Sequence, residues 1–318
     1  MLKDKIKDIC AVLLCALGFF AFILAAAAIP GFAILFLTGA SAFISYLYIV
    51  KGRIKGIVAA VSASALSLVL VRDFGILAIC AGGIIPGIVC AELILRKTDY
   101  YKTLIITCIS FAAVFMAFVS LAAYLSGGLD TIFKNASKLI CTAINEALSD
   151  APKEYAVIKD FLIESTKQTL AIIKELLPSI LIIFSIVSGY ILNVLIRVLS
   201  RHTAKSKYPY VTFDMHRAPR HISYVYLICT LLLMFFGRSG FLRFAAANIV
   251  AVLDLILGFC GLSFIENKFK AKLKYGILRA LVYIGGIIIL NTISLSLLSI
   301  VGMFDSFIPL REIRRSGD

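Results

Sequence analysis

Asp254 is the residue with the clearest chemical potential in this chain. It lies well inside an apolar run from about 241 to 264 and shares a helical face with Ala247, Ala251, Gly258 and Gly261, with Asn248 close by. At 3.6 residues per turn these positions line one small-residue groove around a single carboxylate. Taking an Asp into hydrocarbon costs about 2.5–3.5 kcal/mol on insertion scales, so the side chain has to face protein or water. The groove therefore serves either as a packing seam that hydrogen-bonds the acid, or as a ligand or ion contact formed by Asp254, Asn248, Gly258 and Gly261.

A second constellation, Gly82, Gly83, Pro86 and Gly87, combines Gly-x-x-x-Gly spacing with a kinking proline. It reads as a helix contact face or as a broken helix whose freed backbone groups meet a solute, so Gly83, Pro86 and Gly87 are also candidate ligand contacts. Gly18, Ala21, Ala25 and Ala28 form another small face, suited to internal packing or to a partner helix. Glu92 precedes Arg96 by four residues, the spacing of a helical ion pair.

The three histidines, His202, His216 and His221, fit no zinc spacing, so no metal and no cofactor is expected. His-Glu-x-x-His, Gly-x-Ser-x-Gly and Walker A patterns are absent, which leaves ATP hydrolysis and common hydrolase chemistry without a basis. No residue is assigned a catalytic role; an intramembrane reaction using Asp254 is the one enzymatic alternative.

These residues need elements to carry them, and the composition says which. Of 318 residues 61% are hydrophobic and 16% charged, against roughly half and a quarter in soluble domains. The net charge of +14 does not imply nucleic acid, because the Lys and Arg residues sit in short runs between apolar spans, where they act as orientation signals. No Cys-x-x-Cys occurs among the eight cysteines, and all except Cys141 fall in or beside apolar runs, as small buried hydrophobes do. The Lys-rich start resembles a signal peptide, but the renewed apolar run at 32–50 makes it an uncleaved first span.

The fold class is all-α, a polytopic transmembrane bundle of about eight or nine spans with the lipid bilayer as its solvent. Five apolar segments occupy 1–126, broken at Pro30-Gly31, at the Lys51-Gly52-Arg53 corner, at Arg72-Asp73 and around Arg96-Lys97. Residues 127–176 form an extracytoplasmic insert of mixed charge. Its first half places Ile132, Phe133, Ala136, Leu139, Ile140, Ala143, Ile144, Ala147 and Leu148 in one helical stripe, and a second helix runs toward a kink at Pro178. The C-terminal membrane half, 177–318, includes a basic loop at 197–221 that marks the cytoplasmic side. Nine crossings from an inside N-terminus leave the tail outside, which conflicts with Arg311, Arg314 and Arg315.

Several of these stretches together resemble the YybS-like family of bacterial membrane proteins. They are Ile29-Pro30, Lys51 to Gly56, Gly82 to Gly87, Phe213 to Pro219, Phe259 to Ser263, and the tail Gly302 to Phe307 ending in Arg311. Pro309 and Leu310 depart from the acidic and aromatic residues usual before that Arg. The first half in turn looks like the substrate-binding S-components of energy-coupling factor transporters. That likeness implies vitamin-type small-molecule uptake in the bacterial inner membrane, with Ala21 and Ala25 docking on a transmembrane coupling subunit and separate ATPase subunits supplying energy. The alternative is a non-catalytic membrane scaffold or regulatory subunit, which the same small-residue faces serve.

Overall fold

The computed structural model describes residues 2–29, 32–72, 75–148, 156–200, 211–235, 240–270 and 295–308. The helices are α1 (Leu2–Ala28), α2 (Ala33–Lys51), α3 (Arg53–Val71), α4 (Gly75–Leu95), α5 (Tyr100–Leu125), α6 (Leu129–Ala147) and α7 (Ala156–Ser200). A 3-10 turn at Phe213–Met215, α8 (Arg220–Phe235) and α9 (Phe241–Lys270) follow, and α10 (Leu295–Phe307) ends the described chain. Among the described residues there is no strand, and seven helices are long and apolar enough to cross a membrane, while α8 and α10 are apolar but shorter. This is an all-α polytopic bundle, as hydrocarbon requires of chains that must satisfy their backbone groups internally. The basic stretch 201–210, most of the ninth apolar run and the tail beyond 308 lie outside the described residues.

Local signals set the helix ends. Arg72 closes α3 in the left-handed region (φ 56°), its N–H bonding the Leu68 carbonyl at 2.9 Å. Asp99 opens α5 by accepting the Tyr101 N–H at 3.1 Å. Gly127 and Gly128, at φ 76° and 120°, turn the chain from α5 into α6, a path only glycine follows without strain.

Two compact units form. The first comprises Met1–Thr166 with Phe184–Pro209, the second Lys167–Ile183 with Tyr210–Asp318, so the division runs within α7. In the first unit α2 is the central helix, packed against α1, α3 and α4. Cys15, Leu47 and Ala59 are buried together, and Phe22 meets Phe36 and Phe43 at 6.0 and 5.6 Å between ring centroids. The lower part of α7 joins this unit through α5, with Gly189 against Cys108 and the Arg197 guanidinium 4.1 Å over the Tyr100 ring. In the second unit α8 packs on α9 around Ala218, Leu257 and Cys260.

One residue differs from the sequence expectation. Cys10 is exposed on α1 instead of buried. The second helix of the insert continues through Pro178 into the sixth span, as the single 45-residue helix α7. At 1.5 Å per residue that is about 67 Å, twice the hydrocarbon thickness. Pro86 sits inside a continuous α4, which leaves the contact face and not the broken helix of the two expectations for this stretch.

Candidate functional site

On α4 the glycines make a seat for α2. Gly83 lies against Phe19 and Ala40, and a Cβ added at Gly87 would stand 2.8 Å from the Ser41 carbonyl oxygen. The close approach is bonded as well as packed, since the Ser45 hydroxyl donates to the Gly87 carbonyl at 2.7 Å. Pro86 is buried in the same face. At the charged end of this unit Glu92 accepts from Arg96 at 2.9 Å, the expected pair, and also from Arg53 at 2.7 Å and the Tyr48 hydroxyl at 3.1 Å.

The other candidate residues belong to the second unit. Asp254 accepts a hydrogen bond from the Tyr226 hydroxyl of α8 at 2.8 Å, through Oδ1. The Ser299 hydroxyl of α10 donates to the Asp254 carbonyl, also at 2.8 Å. Gly258 and Gly261 face α10: a Cβ at Gly258 would meet Leu295 at 2.8 Å, and one at Gly261 would fall on the Leu298 carbonyl oxygen. Gly302 of α10 presents the reciprocal notch to the Leu257 carbonyl of α9. The small-residue groove thus holds a helix of the protein itself.

Asn248 serves α7. A proline inside a helix has no N–H, and its ring crowds the carbonyl four residues back, so the ladder opens around it. Here Ser179 N–H, which follows Pro178, donates to Asn248 Oδ1 at 3.0 Å, and Asn248 Nδ2 donates to the Glu175 carbonyl at 3.1 Å. Those are the two groups that would bond to each other in an unkinked helix, and the Asn248 amide bridges both.

A third cluster was not singled out as a site from the sequence. Residues 211–219 strap across the ends of α9 and α10. Ser263 donates to the Phe213 and His216 carbonyls at 2.7 and 2.9 Å, and Arg217 donates to the Asp305 and Ser306 carbonyls at 3.0 and 3.4 Å. Ser223 and Ser306 share a short hydroxyl contact, and Phe259 packs edge-on against Phe213 and His216. Asp214 lies 3.2 Å from Lys270. Burial pushes its carboxyl up, but the hydrogen bond and the charge of Lys270 prevail and hold it below the usual carboxylate value. The signal was present in the chain: Phe213 to Pro219, Phe259 to Ser263 and Gly302 to Phe307 are stretches that carry the family resemblance, and they meet here.

Ala21 is exposed on α1 and Ala25 half-buried, on the face opposite Cys15, Phe19 and Ile23. A shallow hollow of 160 Å³ on α8 is lined by Ile228, Leu231, Leu232 and Phe235, below the roughly 300–1,000 Å³ of small-molecule sites and without a polar side chain. Among the described residues no group of three or more His, Cys, Asp or Glu is placed to hold a metal ion.

Long apolar helices that bury their polar side chains against one another define an integral, multi-pass membrane protein of the helix-bundle class. The family described as "Predicted membrane protein (DUF2232)" matches residues 18–306, and the chain belongs to it. No curated protein and no solved structure matches the chain.

Proposed function

We propose that this protein is a non-catalytic subunit of the bacterial cytoplasmic membrane that works by presenting helix faces to another membrane protein. One observation carries this: Asn248, Gly258, Gly261, Gly83 and Gly87 contact the protein's own helices, whereas α1 keeps an open face of Leu13, Leu14, Leu17 and Ala21. Small residues on an open helix allow the close backbone approach by which membrane helices associate. A photo-crosslinking amino acid at Ala21 is the test, with Ile109 as the control because it is 60% exposed on α5. A discrete protein adduct at 21, absent at 109 and weakened by Ala25→Leu, supports the reading. Lipid adducts alone at both positions overturn it.

Asp254 favours a second reading, uptake of a vitamin-type small molecule in the manner of an S-component. Its carboxylate has one bond, from Tyr226, among the described residues, so it retains capacity for a ligand or proton. In that reading a transmembrane coupling subunit docks at Ala21 and Ala25, separate ATPase subunits supply energy, and a solute reaches Asp254. Asp254→Asn keeps the acceptor for Tyr226 and removes the ionisable group. Uptake lost in a variant that assembles normally supports transport, and wild-type uptake removes Asp254 from any site.

A further inference from the structure

α6 is the one long helix among the described residues that contributes nothing buried to the fold. Its apolar side chains nevertheless fall in a single stripe: Ile132, Phe133, Ala136, Leu139, Ile140, Ala143, Ile144 and Ala147 span about 140° of the wheel at 100° per residue. Lys134, Lys138 and Asn145 centre the opposite side. Such complete segregation is what a helix has when one side meets an apolar phase. Yet Leu139 is 72% exposed and Ile140 41%, and the only described helix that α6 touches is α5, at the turn.

We infer that α6 is an interfacial helix, lying in the membrane plane with this stripe set into the boundary between headgroups and acyl chains. What identifies the bilayer as its partner is the connection to α5. That span ends in Tyr124 and Leu125, 84% and 75% exposed on its lipid-facing surface, and only Ser126, Gly127 and Gly128 separate them from α6. Three extended residues reach about 10 Å, so the first turn of α6 starts at headgroup depth. The left-handed glycines take the chain out of the α5 axis, so α6 is not a coaxial extension of the span into water. Its stripe is therefore continuous with a surface already in lipid, and the bilayer is tethered beside it, which a second copy of the chain is not.

The chain contains no Trp, so a single introduced indole reports without background. Full-length Leu139→Trp and Lys138→Trp proteins, reconstituted in phosphatidylcholine vesicles, carry that indole at adjacent positions about 100° apart on the wheel, one in the apolar stripe and one on the polar side. The inference expects brominated phosphatidylcholine to quench the emission of the Leu139→Trp protein at least about threefold more than that of the Lys138→Trp protein, with the order reversed for aqueous acrylamide. Equal acrylamide quenching of the two variants would place the stripe in water and overturn the proposal. Shielding of position 139 from both quenchers would mean that protein covers it, a second copy included, and would overturn it as well. Ile140→Trp repeats the measurement on the same stripe should the Leu139 variant fail to reconstitute.

Discussion

Asn248 shows how one side chain can carry a backbone defect. Its amide satisfies a donor and an acceptor that Pro178 separates. Asn248→Leu removes both bonds at similar size, and leaving two such groups unpaired costs about 2–4 kcal/mol. The expected outcome is a clearly lower Tm in detergent. In a Pro178→Ala background the α7 ladder can close on itself, so the same change should cost less than half as much. That double-mutant cycle separates the bridge from ordinary packing of Asn248, which would give equal losses in both backgrounds.

Helix seams and the strap across them set the behaviour of the elements. Because Gly261 lies on the Leu298 carbonyl, a backbone atom that no rotamer change can move, Gly261→Ala must push α9 and α10 apart. A loss of about 1–3 kcal/mol is expected from such overpacking, read as a fall in Tm. Gly240, where a Cβ would meet nothing, is unsuitable as the control because its φ of 113° strains any side chain. Ala247→Ser on the half-buried side of α9 keeps the volume nearly constant and should leave Tm within about 0.5 kcal/mol of wild type. The strap responds to acid instead. The Asp214 pKa is lower folded than unfolded, so its contribution is fully present above the ordinary carboxylate value near 3.8 and is lost as pH falls through the folded value. Pepsin, active at such pH, should therefore leave the 211–219 strap intact at pH 5 and cut it progressively below about pH 4. Asp214→Asn should be cut at pH 5 already and lack the step.

For the whole molecule the charge pattern sets an orientation that can be checked directly. Cys141 on α6 is expected outside and the basic stretch around Ser206 inside, so an impermeant thiol reagent applied to intact cells should label Cys141 and spare a cysteine introduced at Ser206. Reversal of that pattern would invert the topology. Much of the architecture was legible in the chain because hydrophobic length and 3.6-residue periodicity are local: the apolar runs, the α6 stripe and the Glu92–Arg96 pair all rest on neighbours within a few turns. The candidate site was legible as residue types but not as partners. Asn248 finds Ser179 some 69 positions away, Ser299 reaches Asp254 across 45, and Arg217 reaches Asp305 across 88, distances at which no sequence periodicity reports. The reciprocal notches at Gly261 and Gly302 have a consequence for biosynthesis. Each glycine receives a carbonyl from the opposite helix, so the pair locks in one axial register and α10 cannot slide by a turn without setting a side chain against a backbone oxygen. The second half of this lock leaves the ribosome about 40 residues after the first, a delay of roughly 2–8 s at ordinary elongation rates, during which α9 sits in the membrane with an open slot that lipid tails must occupy.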